Sequence, residues 1–344
     1  MEEDFSEDLS VEEEELFEHH RFKADPGQEI IRIDKYLMDR MSNTSRNKIQ
    51  VAAKNGNIHV NGKSVKQNYK VKPSDEVSIV LPYPVRELKL IPQDIPIDIV
   101  YEDEDLLVVN KPANMVVHPG YGNYKDTLVN ALVFHIDNLP KPPKDYFGRP
   151  GLVHRIDKHT SGLLVIAKTE LALTDLAKQF YDRTTQRLYH ALVWGDLPDE
   201  GTIKGNLARS LKNRKVMAVF PEGDYGKYAV THYRVLERFG PVTLVECKLE
   251  TGRTHQIRVH FQYLGNPLFN DPEYGGTKIL KGMNTATYKK FVENCFELIP
   301  GQALHAKTLG FIQPTTRINL QFDSTMPQGF SDLLERWRNY AQSK

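Results

Sequence analysis

Asp157 is the carboxylate of this chain best placed to react. It lies in Val153-His-Arg-Ile-Asp-Lys-His-Thr-Ser-Gly-Leu-Leu-Val-Ile-Ala-Lys168, two residues after Arg155 and directly before Lys158. Neighbouring cations favour an ionised carboxyl, which can then act as nucleophile or base. The second half of the stretch, Gly162 to Ala167, is an apolar run opened by Ser161-Gly162 and predicts a buried strand. A polar loop running straight into a buried strand holds its side chains still, as a reacting group requires. The same residues also fit a surface turn in which Asp157 merely pairs with Arg155.

Two further stretches could take part. In Gln186-Arg-Leu-Tyr-His-Ala-Leu-Val-Trp-Gly195 the residues alternate as in a strand, and Tyr189 offers either a core ring or an aromatic face for a ligand. In Glu250-Thr-Gly-Arg-Thr-His-Gln-Ile-Arg-Val-His260, Ile257 shares a helix face with Phe261 and Leu264. Thr254 is expected as the N-cap and Gly265 as the stop, which puts Arg258 near the helix start. Arg253 and Arg258 suit a phosphate or a structural carboxylate equally well. His255 and His260 stand five residues apart, a poor spacing for one helix face, and no metal site is expected.

His154-Arg155-Ile156-Asp157, followed after two residues by Thr160-Ser161-Gly162, resembles the signature of the RluA/RluD-type pseudouridine synthases. Ile156 stands where that family usually has Leu, a volume-conserving exchange. Asn110-Lys-Pro-Ala-Asn-Met-Val-Val-His-Pro119 is similar to the family's first motif, with Asn114 where Gly is frequent; Asn tolerates left-handed backbone. Residues 250–260 resemble its third motif, and 302–306 with 311–314 its closing strands. The resemblance spans about residues 30–325. It implies an RNA isomerase that converts uridine to pseudouridine, most directly in large-subunit rRNA, with no cofactor and no metal. It makes Asp157 the catalytic carboxylate, Arg258 its guanidinium partner and Tyr189 the ring under the target base. Arg155 would fill the gap left in the RNA and Ile257 would line the pocket. Arg253 and His154 would contact the RNA. A tRNA target, or a non-catalytic RNA-binding ribosome-assembly factor, are the alternatives.

These residues must be positioned by an α+β fold. The resemblance implies a mixed, mainly antiparallel central sheet flanked by helices and loops, with a small α/β module before it. For that module, over residues 30–81, Ile33, Tyr36, Leu37 and Met41 mark a short helix. Ser45, Ile49, Ala52, Ala53 and Asn55-Gly56 mark a second. Asn61-Gly62 between Ile58–Val60 and Ser64-Val65 predicts a hairpin, and 77–81 a last strand. This order is similar to the RNA-binding module of ribosomal protein S4, in which the helix pair grips phosphates. Lys35, Arg46 and Lys48 on the helices would do so here. Residues 82–96 hold four prolines and read as a stiff linker. The catalytic domain is expected over 97–325 and a terminal amphipathic helix over 326–344. Residues 285–296 should be helical, with no function assigned.

A zero net charge conceals an asymmetry. Residues 1–20 hold ten Asp/Glu and no Lys/Arg, so the remainder has 45 basic against 35 acidic residues. Residues 31–80 alone hold ten Lys/Arg against four Asp/Glu, which suits a polyanionic partner. The acidic segment 1–28 is expected to be disordered. No apolar run approaches membrane-spanning length, and the acidic start does not fit a secretory signal. Cys247 and Cys295 form no metal-type or redox-type pair. A cytoplasmic, monomeric protein whose partner is RNA, with no membrane contact, is therefore expected.

Overall fold

The computed structural model describes residues 17–41, 44–81, 90–120, 122–140, 149–213, 216–223 and 225–343. These form two compact units divided between Lys89 and Leu90.

The N-terminal unit contains β1 (Phe17–Lys23), β2 (Ile31–Arg32), α1 (Ile33–Met38), α2 (Arg46–Lys54), β3 (Ile58–Val60), β4 (Lys63–Ser64), β5 (Lys70–Val71) and β6 (Glu76–Leu81). Its main sheet runs β1-β6-β3-β4, and β2 pairs with β5. The expected helices and hairpin are present. Ser45 caps α2 by accepting from the Lys48 amide, and Asn61 and Gly62 both have positive φ, as a tight hairpin turn demands. Ile33, Tyr36, Leu37, Ile49 and Ala53 bury together against β3 and β6.

Disorder through residue 28 is corrected in part. Residues 17–23 form an edge strand antiparallel to β6, and Phe22 packs on the module's core. Local sequence hides this strand because Phe17-Glu-His-His-Arg-Phe-Lys23 has few apolar positions; pairing with β6 supplies the stability. Residues 1–16 lie outside those described.

The C-terminal unit contains β7 (Ile99–Glu102), β8 (Leu106–Lys111), α3 (Leu128–His135), β9 (Ser161–Ala167), α4 (Glu170–Asp182), β10 (Gln186–Trp194), β11 (Glu200–Arg209), β12 (Met217–Phe220), β13 (Lys227–Arg238), β14 (Val242–Leu249), α5 (Gln256–Tyr263), α6 (Ala286–Phe296), β15 (Leu304–Ile312), β16 (Asn319–Asp323) and α7 (Gln328–Gln342). One sheet takes the order β12-β11-β13-β14-β10-β15-β9-β8-β7, and β16 adds to β15. Its pairings are antiparallel except that between β9 and β15. At that parallel contact a Cβ on Gly162 would stand 2.2 Å from the Ala306 carbonyl oxygen. Only glycine lets the two backbones meet there, directly after the loop that carries Asp157.

Apolar layers cover both faces of the sheet. One joins Ile156, Tyr189, Ile257, Phe261 and Leu304; another joins Trp194, Phe269, Val292, Leu333 and Trp337. So α7 is part of this unit's core, and so is α6, to which the sequence alone assigned no role. Of the segment expected as a linker, residues 82–89 lie outside those described, and 90–96 strap onto α3. Gln93 exchanges hydrogen bonds with Asp126, the Gln93 amide donates to Asn130 O, and the Asn130 side chain donates to Ile91 O. The basic region 201–230 is built from β11, β12 and the start of β13.

Asp34 organises the N-terminal unit. It is fully buried, and its carboxylate accepts from Arg32 (3.0 Å), Arg46 (3.0 Å) and Gln50 (3.1 Å). Burial would raise its pKa, but these hydrogen bonds hold it well below the usual carboxylate range. A depressed carboxylate stabilises above the unfolded pKa and ceases to do so as pH falls through the folded one. Asp34→Asn should therefore destabilise the unit by about 2 kcal/mol near neutral pH. The difference from wild type should shrink below about pH 4. Amide exchange of α1 and α2 at pH 7 and at acid pH measures it; equal protection in both proteins at pH 7 would count against this role.

Candidate active site

The loop between Val153 and Thr160 is fastened at several points. The His154 ring stacks on Phe180, with centroids 4.4 Å apart, and its Nε2 accepts the Val165 amide at 3.0 Å. Ile156 is buried in the core. The Thr160 amide donates to Asp157 O at 3.1 Å, and Thr160 Oγ1 accepts from Gln302. Ser161 Oγ bonds His305 Nδ1 at 2.9 Å, and His305 Nε2 bonds Ser324 at 2.8 Å. Beneath the loop, the fully buried Lys111 donates to Pro112 O (2.7 Å), Met115 O (2.8 Å) and Lys158 O (3.2 Å). These three carbonyls match the three donors of an ammonium. Burial pushes Lys111 down to about 7, and the charge of Asp157 pulls the other way.

From this loop Asp157 projects to Arg258. Its Oδ2 accepts from Arg258 Nη1 at 3.1 Å, while its Oδ1 lies 3.8 Å from His255 Nε2. Oδ1 makes no hydrogen bond with any described residue. Arg258, only 3% exposed, is gripped from its other edge by Asp271. Nε donates to Oδ2 at 2.7 Å and Nη2 to Oδ1 at 2.8 Å, and Nη2 also reaches Glu273 at 2.6 Å. The guanidinium thus spends two donors on a buried fork and presents Nη1 to Asp157. Burial opposes its charge, yet Asp271, Asp157 and Glu273 hold its pKa above the ordinary arginine value.

The start of α5 differs from expectation. Thr254 is not the cap; His255 occupies that position with a left-handed backbone (φ 55°) and no capping side-chain bond. The Gln256 amide anchors the turn instead. Its Oε1 accepts from Thr251 Oγ1 and the Arg253 amide, and its Nε2 donates to Val230 O and Thr231 Oγ1. This buried, fully satisfied amide fixes where Ile257 and Arg258 emerge.

Tyr189, on β10, is 8% exposed and packs with Ile156 and Ile257. Burial raises the pKa of its hydroxyl. Asp157, Tyr189, Ile257 and Arg258 line one small cavity of about 60 Å³. Arg155, which is exposed, borders it together with two larger spaces. One, of about 570 Å³, contains Asp157, His255 and Arg258; the other, of about 880 Å³, contains Tyr189, Arg187 and Arg253 but not Asp157.

Residues 105–263 match the family model described as RNA pseudouridylate synthase, and residues 31–77 match the S4 domain. An uncharacterized RNA pseudouridine synthase of Chlorobaculum parvum is 47% identical over 317 residues, covering 90% of this chain and 95% of that protein. The ribosomal large subunit pseudouridine synthase D of Zymomonas mobilis is 44% identical, covering 86% and 90%.

The chain belongs to the RNA pseudouridine synthase family.

It is accordingly an isomerase of RNA uridine to pseudouridine. The fold is shared with the human RNA pseudouridylate synthase domain containing 4, at a TM-score of 0.54 and 24% identity over 70% of this chain and 93% of that one.

Within the synthase the structure brings together Asp157, Tyr189, Arg258, Ile257, Arg155 and Arg253, the last with its Nε on Tyr228 O at 3.3 Å. His154 does not fit the RNA contact expected of it. Its ring is spent on Val165 and Phe180, and burial, together with the charge of Arg187, holds it neutral at a pKa of about 3. Lys35, Arg46 and Lys48 belong to the N-terminal unit; all three are exposed, and Arg46 is tied to Asp34. Cys247 and Cys295 are buried thiols. Among the described residues no cluster of three or more His, Cys, Asp or Glu could hold a metal, and no helix is long and apolar enough to cross a membrane.

Sequence reading missed Lys111, Asp271 and Glu273. Asn270-Asp271-Pro272 carries no spacing signal, since its partner lies 13 residues away on a helix. Asp271 also accepts the Glu273 and Tyr274 amides, and Asn270 braces the turn against Phe296 O and Ile299 O. Asp271→Ala should free Arg258 to swing from Asp157. Turnover should fall about 100-fold, as for a misplaced catalytic group, with little change in KM. Steady-state tritium release from RNA labelled at uridine C5 measures both, and unchanged kcat would exclude this positioning role.

Proposed function

We propose that the synthase modifies uridines of large-subunit rRNA, with Asp157 as the catalytic carboxylate. The observation that carries this reading is the contact between Asp157 Oδ2 and Arg258 Nη1 at the wall of a cavity open to a nucleotide. The reaction breaks the N–C1′ bond of uridine, turns the base and rejoins it through C5. A carboxylate must stand beside the ribose, and an aromatic face must hold the detached ring. Arg258 keeps Asp157 oriented through Oδ2, leaving Oδ1 to meet C1′ or the C2′ proton. Tyr189 stacks on the uracil, with Ile257 beside it. The uridine must first leave its helix or loop, and exposed Arg155 takes the vacated place. Arg253 contacts the RNA backbone.

The rRNA target is supported by relatives such as the Zymomonas mobilis protein, whose name states a large-subunit substrate. It is also supported by the S4 match over residues 31–77. The N-terminal unit supplies salt-dependent phosphate contacts through Lys35, Arg46 and Lys48. A cytoplasmic location and a monomeric state accord with such a substrate.

Asp157→Ala should abolish tritium release from [5-³H]uridine rRNA while leaving rRNA binding within about threefold, because only the reacting group is removed. Normal release by this variant would refute the assignment. Pseudouridine mapping of rRNA and tRNA from a strain lacking the gene should show the lost sites in large-subunit rRNA; losses confined to tRNA would overturn the target. Deleting residues 17–81 should weaken rRNA binding and flatten its salt dependence. An unchanged slope would remove the N-terminal unit from the binding reading.

A further inference from the structure

We propose that Arg187 is a phosphate-binding residue of the synthase, holding the phosphodiester next to the extruded uridine at the wall of the 880 Å³ cavity. The inference rests on the reading that Tyr189 receives the target base.

Arg187 is 7% exposed, yet its side chain forms no hydrogen bond or ion pair with any described residue. Its Nε is buried without a partner. The ring of Phe180 lies against it, 5.4 Å from Cζ, and stacks in turn on the neutral His154. A guanidinium withdrawn from water without a carboxylate is costly, and native proteins rarely keep one unless an anion completes it. Among the described residues the cavity supplies no such anion. Its two carboxylates are engaged elsewhere, Asp182 by Lys178 and Glu250 by His232 at 2.6 Å. Against these two the wall carries five arginines: Arg149, Arg155, Arg183, Arg187 and Arg253.

Two placements make the ligand a nucleotide's phosphate. Arg187 and Tyr189 are alternate residues of β10 and line the same cavity, so their side chains leave one face about 7 Å apart. A base stacked on Tyr189 therefore carries its backbone past Arg187. Gly252, next to Arg253, faces the guanidinium so closely that a Cβ would stand 2.9 Å from Nη1. The absence of a side chain there keeps the donor edge in place.

The test uses the full chain. Arg187→Met keeps the length of the side chain and removes the charge. Its Tm in chloride should equal or exceed that of wild type, because an unpaired buried charge is gone. Replacing chloride by inorganic phosphate at equal ionic strength should raise the Tm of wild type more than that of the variant. With rRNA, Arg187→Met should raise KM about tenfold or more and leave kcat within about twofold. It should also reduce the slope of log K against log salt by about 0.7 to 0.9, one phosphate contact. Arg187→Lys should retain most of the slope. Gly252→Ala, which displaces Nη1 without removing charge, should raise KM in the same direction.

Equal phosphate responses together with unchanged KM and slope would overturn the proposal. So would a lower Tm with reduced kcat at unchanged KM, the pattern of a brace for Tyr189. If Arg187→Met does not fold, Gly252→Ala decides: an unchanged KM overturns the proposal. Tritium release by wild type is the control for the reading beneath it. Its absence would sink that reading, while a charge-dependent phosphate response would still identify the anion site.

Discussion

The site depends on one buried guanidinium shared among three acids. Arg258 can stay charged in the interior because Asp271 takes Nε and Nη2 in a fork, Glu273 also takes Nη2, and Asp157 takes Nη1. The partition is geometric. A planar guanidinium with two donors locked by one carboxylate offers its remaining edge in a single direction. Asp157 is consequently held by a group that is itself held, and lysine at position 258 could not reproduce this. The rest of the unit serves that axis. The loop from Asn270 to Gly276 fixes Asp271 through its own amides, α6 braces Asn270, and Gln256 fixes the first turn of α5.

The loop bearing Asp157 is supported from the opposite side by a second buried cation. Lys111 contacts the backbone of its own segment and the carbonyl of Lys158, so β8 and the loop bearing Asp157 are tied together. Three carboxylates around Arg258 leave an excess of negative charge there. The ammonium of Lys111 offsets part of it across the loop, which is the sense in which Asp157 favours its charged form. Rigidity and electrostatics are therefore supplied by the same two cations.

The N-terminal unit uses a similar device for another end. Buried Asp34 draws Arg32 and Arg46 to one side of the helix pair while leaving both half exposed. An acid in the core sets the direction in which cations face a polyanion. Around Tyr189 the logic is reversed: among the described residues, no acid completes the buried Arg187.

Much of this was legible in the chain itself. Apolar period and turn chemistry determined the helices of the N-terminal unit, the Asn61-Gly62 hairpin, β9, β10 and α7, because these depend on neighbours a few residues apart. The order of types around Asp157 and Arg258 marked the chemistry for the same reason. The edge strand β1 was hidden because its stability comes from β6, more than fifty residues away. His255 as the cap, with Gln256 tying down the turn, could not be read locally, since its acceptors are Val230 O and Thr231 Oγ1. Only the tertiary structure assigned Lys111 to the loop, Asp271 to Arg258 and His154 to Val165 and Phe180. A buried charge is defined by what surrounds it, and those partners are gathered by the sheet, not by the spacing of residues.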